Sequence, residues 1–360
     1  MSDSDIAGKG VLYSFLVSAA ATVVLTIACL ILKRDYDDTQ LNKFDKKFRG
    51  WVCRPLREAF DNTEMDRWAN RLYPVIISLS DSQLVTGIAM LASAVKLMND
   101  GEIIVYHFTI VSDLAWFSSN THVLALLIIR TFLGSSEKEL NNPPQTSSQA
   151  QTPKHRFTNK DVLRYVRLSL MIIMATLLVY VSYLSGAYNL YDNLNCPMNC
   201  IAPMEKGGEP LQWAIVNVFF VFWTYPPAIV ENIPIASRTW FVLREKIKQR
   251  HKDILHKLNG TRWINIILKG IYRTLAYTII WVWNFSTSEV ETVLEIIGWF
   301  IYGVIVVFKD RDSARMCRID DNTPCISPDE WDKQNQFTFG QLVPLFLLTL
   351  PVLSFIEAWS

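Results

Sequence analysis

Charge is scarce in this sequence. Of its 360 residues, 19% are Asp, Glu, Lys or Arg, against roughly 25% in average soluble domains. The net charge of +1 selects no acidic or basic partner. Cysteine is scarce as well, and six scattered residues cannot build a disulfide scaffold. Several signatures are missing altogether: a phosphate-binding loop, a dinucleotide fingerprint, a nucleophile elbow and a His-Glu-x-x-His zinc motif. The Asp-rich pairs that hold magnesium diphosphate are missing too, since Asn99-Asp100 is followed by Gly-Glu-Ile. With no zinc-like donor spacing, the sequence implies neither metal nor cofactor. No basic and aromatic pattern points to nucleic acid, and no inverted repeat of the transporter kind is visible.

Hydrophobic residues make up 50% of the chain, and they are gathered into long runs. About 20 apolar residues at 1.5 Å each cross a hydrocarbon core of roughly 30 Å. Such runs occupy residues 11–32, 81–98, 103–133, 163–184, 211–230, 264–283, 290–308 and 339–355. The fold expected is therefore an all-α polytopic transmembrane bundle of about eight spans, or seven if a terminal run does not cross. It forms a single transmembrane domain over residues 1–360, with a disordered Ser-, Gln- and Pro-rich linker at 134–161. Ala19-Ala20-Ala21 offers the small residues of a signal peptide, but the apolar run is too long and Lys33-Arg34 follows it rather than precedes it. Ser80 and Gln83 have the spacing of a capping box, which predicts a helix start near Ser80. Pro226-Pro227, Pro344 and Pro351 predict kinks in their spans.

Basic residues outside the spans alternate. Nearly all lie after spans 1, 3, 5 and 7, with none after spans 2 and 6. By the positive-inside rule those four segments are cytosolic, and both termini are exoplasmic. The membrane itself, endoplasmic reticulum or plasma membrane, is not specified. Residues 41–73 and 239–258 mix apolar and basic positions at helical spacing. They predict amphipathic helices along the interface, with the lipid bilayer, and anionic lipid in particular, as partner.

Ionisable groups inside spans are costly, so each is a candidate for function. Span 3 carries His107, Asp113, Asn120, His122 and Arg130. Asp113, Trp116, Phe117 and Asn120 share one helical face. Glu291 and Glu295 lie one turn apart in span 7, so one of them needs a proton or a cationic partner. The expected site is a polar cavity in the outer half of the membrane. Its catalytic candidates are Asp113, Glu295 and Glu291, and its walls are Lys96, His107, Trp116, Phe117, Asn120 and His122. The bland alternative has Lys96 and Glu291 snorkelling to the interface and Asp113 hydrogen-bonded between helices. Lys269 and Arg273 read as membrane-end anchors, and Asp81 as a helix-start residue. A disulfide is expected between Cys196 and Cys200 on the exoplasmic side, and reduced thiols at Cys317 and Cys325. Asn284-Phe285-Ser286 is a glycosylation sequon set too close to the membrane to be used, and Asn259-Gly260-Thr261 falls on the cytosolic side.

Two stretches carry a resemblance. One is Leu79-Ser-Asp-Ser-Gln-Leu-Val-Thr-Gly87 with Tyr106-His-Phe108 and Asp113-Leu-Ala-Trp-Phe-Ser-Ser-Asn-Thr-His122. The other is Phe339-Gly-Gln-Leu-Val-Pro-Leu345 with Pro351. They resemble a family of uncharacterised fungal multi-pass membrane proteins, some of whose members sit near secondary-metabolite gene clusters. The resemblance implies a fungal source and a polytopic fold, and supplies no activity. It leaves three classes of function. The first is a membrane component of specialised metabolism, such as an intramembrane terpene cyclase acting on a lipophilic small molecule. There Asp113 or Glu295 would be the acid, and Trp116, Phe117 and Trp299 would face the developing cation. The others are a receptor or sensor and a small-solute transporter.

Overall fold

The computed structural model describes residues 7–33, 43–59, 62–141, 159–188, 194–201, 209–233, 270–278, 288–320 and 323–359, with a few single residues between 234 and 287. Its main helices are α1 (Lys9–Leu32), α2 (Lys43–Ala59), α3 (Asn62–Asp100), α4 (Val105–Asn141), α5 (Asn159–Ala187) and α6 (Glu209–Asn232). After the largely undescribed stretch come α7 (Glu289–Met316), α8 (Pro328–Asn335), α9 (Phe339–Leu347) and α10 (Thr349–Trp359). Between α7 and α8 lies a two-stranded antiparallel ribbon, β1 (Arg318–Asp320) and β2 (Thr323–Pro324).

Among the described residues five helical segments, not eight, are long and apolar enough to cross a membrane: Lys9–Leu32, Thr63–Asp100, Val162–Ala187, Glu289–Met316 and Pro328–Glu357. Expected span 5 contains only a shorter apolar helix, Ala214–Val230. Most of expected span 6, of the interfacial segment 239–258 and of the linker lies outside the described residues, although α4 runs on to Asn141.

Expected span 3 fails the apolarity criterion for a physical reason. It is α4, the axial helix, packed against α1, α3, α5, α6 and α7. Nearly every residue from Val105 to Ile129 is buried, including Ser118, Ser119, Asn120, Thr121 and His122. A helix walled in by other helices meets their side chains rather than lipid, so it can carry polar groups that hydrogen-bond across the interfaces.

The α3–α4 hairpin turns at Gly101, whose φ of +72° is the left-handed conformation that glycine adopts without strain. Gly101 N–H donates to Met98 O and Glu102 N–H to Leu97 O, which closes a Schellman cap. The predicted helix start at Ser80 is not there, because α3 is continuous for 39 residues from Asn62. Ser80 and Gln83 instead face inward. Ser80 Oγ meets His122 Nδ1 at 3.0 Å. Gln83 Nε2 donates to Phe15 O at 3.1 Å, and its Oε1 accepts from Thr121. The segment expected to lie along the interface at 41–73 is α2 followed by the base of α3.

Helix directions differ from those of the expected topology. Trp116 meets Phe220 and Ser119 meets Tyr225, so α4 and α6 run parallel. Asp113 meets Asp310, whereas Val123 and Leu126 lie near Glu295, so α4 and α7 run antiparallel. The sequence reading had spans 3 and 7 pointing the same way. The segment after α7 therefore lies at the end of the bundle that holds the N-terminus of α1. There Arg311 Nη1 donates to Ala7 O at 2.9 Å and Gly10 N–H to Gln341 Oε1 at 3.1 Å. The tail then returns, and Phe355 packs with Cys29, Ala69 and Ile128 at the opposite end. The two ends of the described chain thus sit at opposite ends of the bundle.

Cysteine pairing also differs from the expectation. Cys317 is disulfide-bonded to Cys325 across the base of the β1–β2 ribbon, and Cys196 and Cys200 are not joined to each other.

Candidate functional site

A cavity of ≈ 280 Å³ opens between α4, α5, α6 and α7. Asp113 of α4 and Asp310 of α7 face each other in its wall, close enough for their carboxyl groups to interact directly. Two carboxyl groups so placed disfavour double ionisation, so the pair favours keeping one proton. Asp113 Oδ2 is buried and has no hydrogen-bond partner among the described residues. Around the pair are the Lys309 ammonium, the Asn217 amide and the hydroxyls of Thr109, Ser112, Ser182 and Tyr302. The lining is mixed, with Trp116, Leu178 and Val306 supplying apolar surface.

At the cavity wall α7 presents a glycine, Gly303, to α4. A Cβ at Gly303 would stand 3.1 Å from the Phe117 ring. Phe117 thereby packs edge-on against Phe300, with ring centroids 5.6 Å apart. It belongs to the α4–α7 seam and not to the cavity wall.

Toward the other end of the bundle the cavity is closed by three rings. Trp116, Phe220 and Trp299 touch pairwise, with centroids 4.8, 5.7 and 4.9 Å apart. Beyond them lies a second, smaller cavity of ≈ 50 Å³, lined by Glu289, Glu291, Glu295, Thr224, Asn232 and Arg130 among others. Thr224 Oγ1 donates to Glu295 Oε1 at 3.3 Å, and the Trp299 side chain lies beside Glu295.

The single cavity expected from the sequence is thus divided. Asp113 and Trp116 are in the larger space, while Glu291 and Glu295 are in the smaller. His107 sits under α8, with Nε2 3.5 Å from Glu330 Oε1 and 3.2 Å from Gln334 Nε2. The two contacts use one nitrogen, so it either donates to Glu330 or accepts from Gln334. His122 is buried against Ser80, and Lys96 is exposed on α3. Asn120 is 2% exposed, with both amide atoms unpartnered among the described residues. Arg273 stacks on Tyr277, 5.5 Å from the ring centroid, while Lys269 and Asn284 lie outside the described residues.

Asp310 was missed in the sequence. It stands in the run Lys309-Asp-Arg-Asp312, which imitates the charged end of a span, whereas α7 continues through it to Met316. A helical projection of α7 continued past Phe308 would have found it, since Gly303, Val306 and Asp310 share one face.

No family model matches the chain, and no solved structure matches it. Among curated proteins the chain is similar to the elsinochromes biosynthesis cluster protein HP3 of Elsinoe fawcettii. The two are 29% identical over 121 residues, which is 32% of this chain and 41% of that protein. The chain thus spans less than half the length of this relative. That relative is named for a fungal biosynthesis cluster, and the apolar helices of this chain are compatible with a membrane location.

Proposed function

We propose that this chain is a multi-pass membrane component of fungal specialised metabolism that binds a small lipophilic molecule bearing oxygen functions. The binding place is the Asp113–Asp310 cavity, and the carboxyl pair acts there as proton donor. The pair itself carries this reading. Facing carboxyl groups that disfavour ionising together keep a proton beside a space of ≈ 280 Å³, close to the lower size of small-molecule sites. A carbonyl, epoxide or hydroxyl oxygen placed there can accept that proton. The Lys309 ammonium then balances the charge left behind.

The lining favours an oxygenated molecule over a terpene-derived cation. Of the three aromatics expected to face such a cation, only Trp116 lines the cavity. Phe117 packs on Phe300, and Trp299 is committed to the ring plug. The surrounding hydroxyls would capture a carbocation.

The lipid bilayer is the proposed partner of the bundle surface. On α2, Trp51 is 78% exposed beside exposed Phe48 and Lys47, a composition suited to the interface with anionic lipid. The disulfide-bearing end is proposed to face the oxidising side and the α2 end the cytosol.

The reading is tested by expressing the protein in a fungal host, extracting it in mild detergent and identifying co-purifying small molecules by mass spectrometry. A deletion strain is profiled in parallel. The wild-type protein is expected to carry a metabolite that Gly303→Leu loses. The deletion strain is expected to accumulate an intermediate that the wild-type gene clears and Asp113→Asn does not. Identical profiles in deletion and parent strains would overturn the reading.

A further inference from the structure

We propose that the seam of α4, α6 and α7 is a proton route between the two carboxyl sites, joining Glu291 and Glu295 at one end to Asp113 and Asp310 at the other. It rests on the assignment of Asp113 and Asp310 as a proton-holding pair, and extends it from a local acid to a path through the bundle.

The path is laid out on α4. Asp113, Trp116 and Asn120 follow one another on a single helical face, and Val123 and Leu127 continue it to the wall of the Glu295 cavity. On α7, Glu295 and Asp310 are 15 residues apart, or about 22 Å along the axis. That is most of a hydrocarbon core of roughly 30 Å. The two acid sites therefore sit near opposite edges of the apolar region, with the ring plug between them.

Polar groups bridge the gap. Asn120 lies about 10 Å along α4 from Asp113, buried and with neither amide atom partnered among the described residues. Leaving an amide dry in such a place is costly, so the route places bound water there. An amide that both donates and accepts can hold a chain of water in order, and the water passes the proton. Trp299 lies beside Glu295 while its ring packs against Trp116 at the larger cavity, so movement of one ring changes both ends. On α6, Pro226 and Pro227 withhold two N–H donors, leaving the carbonyls of Phe222 and Trp223 without their helical partners. Trp223 and Pro227 line the Glu295 cavity. The charged and titratable neighbours are Arg130 and Glu289 at that end and Lys309, Tyr302 and Tyr106 at the other.

The step moves one proton and no electrons. A proton enters one carboxyl site, the water chain shifts by one bond, and a proton leaves the other site. The charge carried requires a counter-ion.

The test is proton flux in sealed vesicles of neutral and anionic phospholipid holding the full chain and a trapped pH-sensitive dye. A potassium gradient with valinomycin supplies the counter-ion. The wild-type protein is expected to change the internal pH at least tenfold faster than protein-free vesicles. Glu295→Gln and Asn120→Leu are expected to fall to the protein-free rate. Asn120→Ser, which keeps a polar group and room for water, and the exposed Glu64→Gln are expected to retain flux. Each variant is first shown to be monodisperse by gel filtration. Wild-type flux no faster than protein-free vesicles, or unchanged flux in Asn120→Leu and Glu295→Gln, would overturn the route. In either case Asp113-dependent clearance of the metabolite can persist, which separates this failure from failure of the binding site. Asn120→Leu that keeps its co-purifying molecule but loses flux supports the route alone.

Discussion

Arg167 of α5 grips Asp81 of α3 through both Nε and Nη2, at 2.9 and 2.6 Å. The side chains are 15% and 35% exposed, so the pair lies between a surface ion pair, worth up to about 1 kcal/mol, and a buried one, whose breakage costs about 3–5 kcal/mol. Asp81→Ala and Arg167→Ala are each expected to lower stability by about 1–3 kcal/mol. The double variant should lose less than the sum, as measured by thermal unfolding in micelles. Strictly additive losses would show that the two side chains act independently.

Cys317 and Cys325 close a loop with a sequence separation of eight. Chain-entropy reasoning assigns such a loop about 2.5 kcal/mol. Alkylation under denaturing, non-reducing conditions should spare these two residues and modify Cys29, Cys196 and Cys200. Replacing either disulfide cysteine by Ser should lower the unfolding temperature and leave one new reactive thiol.

Asp45 ties the amphipathic helix α2 to the start of α7. Its carboxylate accepts from Ser288 Oγ at 2.6 Å and from the N–H groups of Glu289 and Val290, both at 3.3 Å. These are amides that the first turn of a helix leaves unbonded. Asp45→Ala is expected to destabilise by about 1–2 kcal/mol, whereas Asp45→Asn, which keeps an acceptor, should lose less. Hydrogen exchange at residues 289–291 should rise in the Ala variant, and an unchanged rate would dissociate α2 from that helix end.

Lys46 and Lys333 are both exposed, and α2 and α8 lie at opposite ends of the bundle. In sealed microsomes, Lys46→Cys should react with a membrane-impermeant maleimide, and Lys333→Cys only after the membrane is opened. The charge alternation of the sequence puts both on the cytosolic side, so this pair of labels decides between the two topologies.

The helices and the α3–α4 turn were legible because long apolar runs and Asn-Asp-Gly leave few alternatives. The face of Asp113, Trp116 and Asn120 was legible from spacing alone. Direction was not, because Lys309, Arg311, Arg315 and Arg318 look like an ordinary cytosolic flank. Arg311 instead neutralises its burial locally, through Ala7 O, Asn335 Oδ1 and the Trp331 ring. Ser80 and Gln83 imitated a helix cap because a cap and an interhelical hydrogen bond use the same residue types. The partner of Asp113 was hidden because its proximity depends on the antiparallel packing of α7.

In the membrane location proposed above, the polar character of α4 also bears on how the chain is made. A helix carrying Asp113, Asn120, His122 and Arg130 has little reason to leave an insertion channel for lipid by itself. It becomes tolerable to the bilayer only when α3 shields one side, and Gly101 keeps the two within reach from the moment both are synthesised. The later helices then wrap what the hairpin has carried in. Lengthening that turn should therefore harm biogenesis more than it harms the finished bundle, leaving less protein rather than weaker protein.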